Sequence, residues 1–97
     1  MSKILKILEK WKHGKQTVPK EEVFAIPNKF FPSGWEQKTG SHVVVRHHLL
    51  KLLPEYYGAK GEFSIAIEGG RRVKPVYLKN LVKAIDYLCE MGAIKKE

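Results

Sequence analysis

The chain has 97 residues, enough for one hydrophobic core and too few for two, so a single site or surface must carry its function. Eighteen Lys and Arg stand against ten Asp and Glu, a formal charge of +8 and a pI near 9.7, which favours a polyanionic partner, above all nucleic acid. No stretch approaches 18 apolar residues and the single cysteine, Cys89, has no intrachain partner, which excludes a membrane-spanning segment and a disulfide scaffold.

Met1 to Leu8 is a charged amphipathic run without the unbroken apolar core of a secretory leader, so a cytoplasmic protein is expected. Ile4, Leu5, Ile7, Leu8 and Trp11 recur at helical spacing, with Gly14 placed as a cap. Pro19, Glu21 and Glu22 suit the first turn of a second helix through Val23, Phe24 and Ile26, which Pro27 should shorten or kink. Trp35 opens a first strand. After the turn signal Thr39-Gly40-Ser41, Val43, Val44 and Val45 form a second, making a hairpin.

Leu49 to Leu53 predicts one helical turn stopped near Pro54, and Tyr56 and Tyr57 follow. Phe63, Ile65 and Ile67 alternate with Ser64, Ala66 and Glu68, the period of a half-buried strand that Gly69 and Gly70 end. From Pro75, the residues Leu78, Leu81, Val82, Ile85, Leu88 and Cys89 form the apolar stripe of a last helix, capped by Gly92. The order predicts one α+β domain over 1–97, with a helical part over 1–33 and a β-β-β-α core over 34–97. Its three-stranded antiparallel sheet would be covered on one face by helices in a two-layer fold.

Gly34-Trp35-Glu36-Gln37-Lys38-Thr39-Gly40-Ser41-His42-Val43-Val44-Val45-Arg46-His47 resembles the signature of HicA-type messenger-RNA interferases, in which a glycine-serine-histidine turn joins two strands. Gly70-Arg71-Arg72-Val73-Lys74-Pro75 and Leu78 are similar to that family's basic stretch entering the last helix. The resemblance implies an α-β-β-β-α fold like a double-stranded-RNA-binding domain, here with an extra N-terminal helix or an insertion. It also implies a metal-independent toxin that cleaves messenger RNA without a cofactor and is held inactive by an acidic HicB-type antitoxin. The family's active histidine falls on His42. Its proline-x-histidine at the end of the third strand is replaced by Ala66, Ile67 and Glu68.

Metal-free RNA cleavage needs a base for the 2′-hydroxyl, an acid for the leaving oxygen and cations for the phosphate, and histidine, here His42, suits either of the first two tasks with an ordinary pKa of about 6.5. Lys38, Gly40 and Ser41 around the turn, together with Arg46, Arg71, Arg72, Lys74 and Lys79, are the candidate RNA contacts. A metal site is disfavoured: His42 and His47 face opposite sides of a strand, and His42 and His48 stand roughly 20 Å apart along it. His47 and His48 read as polar strand-end residues that can reach RNA. Glu68 reads as an ion-pair partner of Arg71 or Arg72. Trp11, Phe24, Phe30 and Phe31 read as core, which leaves Trp35 as the aromatic suited to stacking on a base. Two other classes compete: an RNA-binding module that does not cut, and a winged-helix DNA-binding protein, which would require a third helix before the hairpin.

Overall fold

The computed structural model describes residues 3–31, 34–39 and 41–94. In chain order the elements are α1 (Lys3–His13), β1 (Val18–Pro19), α2 (Lys20–Phe30), β2 (Trp35–Thr39), β3 (His42–Arg46), a 3-10 turn (His48–Leu52), α3 (Pro54–Tyr57), β4 (Glu62–Glu68), β5 (Arg72–Val73) and α4 (Pro75–Glu90). The class is α+β, as expected. The sheet, however, has five antiparallel strands in the order β1-β5-β4-β3-β2 rather than three. The two additional strands are two-residue pieces that no periodicity can reveal.

β3 and β4 form the centre of the sheet, with Val43 opposite Ile65 and Val45 opposite Phe63. Val43, Val45, Ile65, Ile67 and Val73 are buried on one face, against the α4 stripe of Leu78, Leu81, Val82, Ala84, Ile85 and Leu88. α1 adds Leu8 and Trp11 to this core, and α2 adds Val23, Ile26 and Phe30. The opposite face of β3, carrying His42 and Arg46, is exposed, because alternate residues of a strand point to alternate sides.

Pro27, expected to shorten or kink the second helix, lies inside it, and α2 continues to Phe30. A proline there removes one helical N–H and crowds the carbonyl one turn back. Burial of the Pro27 ring with Ile26 and Phe30 offsets that cost. The next close approach explains Gly34. A Cβ at that position would collide with the Arg46 carbonyl, while the Gly34 carbonyl accepts from the Arg46 N–H at 2.6 Å.

Two helices, α1 and α2, precede the hairpin among the described residues, so the third helix that a winged-helix reading requires is not found there. None of the described helices is long and apolar enough to cross a membrane.

The stability of the fold should therefore rest on α4. Ile85→Ala, fully buried in the wild type, should lower the unfolding free energy by about 2–5 kcal/mol. Val76→Ala on the same helix, 55% exposed, should change it by no more than about 0.5 kcal/mol. Denaturant titration of both variants checks the contrast.

Candidate RNA-cleavage site

His42 opens β3 and pairs across the ladder with Ala66 of β4. On the other side of β4, Ile67 pairs with Val73, and the next residue, Lys74, leads into α4. His42, Ala66 and Lys74 thus come to line one cleft. Ser41, His42, Ala66, Glu68, Lys74 and Tyr77 line a solvent-open cleft of about 220 Å³.

The turn after β4 makes this juxtaposition. Gly69 and Gly70 have φ of 60° and 71°, a region that side chains disfavour, and the Arg71 N–H donates to the Glu68 carbonyl at 3.1 Å. The chain reverses there into β5 and delivers Lys74 to the start of α4. Lys74 Nζ then lies 3.5 Å from Glu68 Oε2. Glu68 is therefore paired with Lys74, and the expected pairing with Arg71 or Arg72 is not the one formed.

Within the cleft, Ser41 Oγ and His42 Nδ1 are 3.1 Å apart. With the proton on Nδ1 the ring donates to the serine, which leaves the Nε2 lone pair to accept a proton. His42 itself is exposed, at the rim where a large substrate can reach it.

The structure separates the candidate cations. Arg46 projects from the open sheet face between two carboxylates, 3.7 Å from Glu36 and 3.3 Å from Glu62, so its charge is compensated locally. Arg72 is turned to the chain before β1: its Nε donates to Thr17 Oγ1 at 2.6 Å and its Nη2 to the Thr17 carbonyl at 2.9 Å. That residue secures β1 against β5 rather than serving the cleft. Arg71 is exposed on the turn, and Lys79 is exposed on α4 outside the cleft lining. Gly40 and the side chain of Lys38 lie outside the described residues.

Several other assignments change. His47 accepts a hydrogen bond from the Leu49 N–H at 3.1 Å through Nδ1, capping the 3-10 turn, and stacks on His48 with ring centroids 4.7 Å apart. Trp35 lies against Phe24, with ring centroids at 5.2 Å, and its indole N–H donates to Asn28 Oδ1 at 2.9 Å, so it holds β2 to α2. No group of three or more His, Cys, Asp or Glu could hold a metal ion among the described residues.

Sequence reasoning missed Tyr77, the first-turn residue of α4 that walls the cleft. It borders the apolar stripe of that helix, so periodicity alone assigns it to packing. Comparison of the chain with family models, with curated proteins and with solved structures gave no match.

Burial, and then the neighbouring His48, depress the pKa of His47 below its ordinary 6.5. A group whose pKa falls on folding contributes fully above the unfolded value and loses that contribution as the pH falls from 6.5 through the lower folded value. The wild type should thus lose stability as the pH is lowered from about 7.5 to well below 6.5. His47→Asn keeps a capping acceptor without titrating and should lose less, as measured by denaturation midpoints at both ends of that range.

Proposed function

We propose that this chain binds RNA and cuts it without a metal ion, as a toxin of the HicA type, with His42 as the general base. The observation that carries the reading is the convergence of His42, its Ser41 partner and the Glu68–Lys74 pair on one open cleft. The resemblance of the Gly34–His47 run and of the stretch entering α4 supports it, as does the charge of +8.

In this mechanism His42 Nε2 takes the proton of a ribose 2′-hydroxyl. The freed oxygen attacks the adjacent phosphorus, a 2′,3′-cyclic phosphate forms, and the bond to the 5′-oxygen breaks. That oxygen takes a proton from water in the open cleft. Lys74, held by Glu68, stabilises the charge on the phosphate oxygens, and Arg71 supplies further attraction at the turn. An acidic antitoxin protein laid over the same cleft would both neutralise these cations and exclude RNA.

Glu68 stands where the resembled family carries its second histidine, and this substitution favours one alternative, an RNA-binding module that does not cut. The two readings part on a single experiment. Purified wild type should cut a messenger RNA with a chelator present, leaving cyclic-phosphate and 5′-hydroxyl ends, and should arrest growth when expressed. His42→Ala should fold normally, slow cleavage by on the order of 10²–10⁴-fold and relieve the arrest. Intact RNA with wild type, or equal cleavage by His42→Ala, would sink the nuclease mechanism. Salt-dependent RNA binding without cleavage in both proteins would leave the binding module.

A further inference from the structure

A second cleft lies further along the same two elements. Beyond its pairing with β5 at Ile67 and Glu68, the outer edge of β4 has no neighbouring strand among the described residues. Along this edge, residues of β4 and α4 line first the His42 cleft and then a larger hollow of about 430 Å³, bounded by Phe63, Asn80, Lys83, Tyr87, Tyr56 and Tyr57. Tyr77, Asn80, Lys83 and Tyr87 follow one another at three- and four-residue steps, so one flank of α4 joins the two clefts. From Tyr77 to Tyr87 the helix rises about 15 Å.

The chemistry of this hollow differs from that of the first. Tyr56 is 75% exposed, yet its ring stands edge-on to Tyr57 at 6.4 Å, and Tyr57 in turn meets Phe63 at 5.9 Å. An exposed ring set edge-on against a part-buried one leaves a face on which a base can stack. Burial, and then the neighbouring Tyr87, raise the pKa of Tyr57, which keeps its phenol a neutral hydrogen-bonding group. Asn80 adds an amide able to pair with a base edge, and Lys83 adds a cation for a phosphate.

We infer that this aromatic hollow is a subsite for an unpaired nucleobase, a few nucleotides along the single strand whose phosphate is attacked at His42. The inference rests on the RNA reading above and narrows its substrate to RNA that is single-stranded beside the cut. Stacking on an aromatic side chain accepts any base, so the subsite selects for unpaired strand more than for sequence.

The test uses the full chain carrying His42→Ala, so that RNA is bound and not consumed, with a fluorescein-labelled single-stranded ten-nucleotide RNA and a blunt RNA duplex as probes. Tyr56→Ala should weaken single-strand binding roughly ten-fold or more and leave duplex binding unchanged, whereas Tyr56→Phe should bind as the parent does. Because Tyr56 is exposed, its truncation leaves the core intact. Equal weakening for both probes would show that the ring does not read an unpaired base. If Tyr56→Ala binds like its parent while Lys74→Ala binds poorly, the subsite is refuted and the RNA reading stands. If the parent binds neither probe, both fall, and the hollow would have to be tested as a surface for a protein partner.

Discussion

The packing of the α4 stripe against β3 and β4 is the constraint from which the rest of the molecule follows. Val43, Val45, Ile65 and Ile67 can be buried only if β3 and β4 pair in the register observed, since a slip of one residue would move every apolar side chain to the open face. The same register sets His42 opposite Ala66. The position of the candidate base is thus inherited from the core.

Reversal at Gly69 and Gly70 adds the second half of the site. It returns the chain beside β4 long enough to form the two-residue β5, and it then releases Lys74 and Tyr77 at the start of α4. β1 closes over β5 from the other side, tied by Arg72 to Thr17 and by the Lys20 N–H donating to the Arg71 carbonyl at 2.9 Å. The N-terminal helical part is therefore an integral wall of the domain, with Leu8 and Trp11 in the common core.

A charge of +8 is a property of the whole chain, but the cations are not equivalent. Arg46 lies outside the cleft lining and Arg72 is engaged by a loop, which leaves Lys74, paired with Glu68, as the cation of the cleft. In the proposed nuclease, a positive field of the whole surface brings RNA in and this one oriented ammonium meets the phosphate. Selectivity for single strands would come instead from the aromatic part of the groove, where the tyrosines stand.

Periodicity alone determined α1, the strand around Phe63–Ile67 and α4, because each buries an apolar face that its spacing announces, and three successive valines after a turn signal announced the strand at Val43–Val45. His42 became a candidate for a different reason: the turn motif at the head of its valine strand resembles a family signature. What only the tertiary structure decided is which charged and aromatic groups meet. β1 and β5 are too short to have a period, and Pro27 obeys burial over local preference. The partners of Arg46, Arg72, Glu68 and His47, and the cleft wall formed by Tyr77, come from strand register and a glycine reversal. A linear pattern records which side of an element a residue faces, but not what stands across from it.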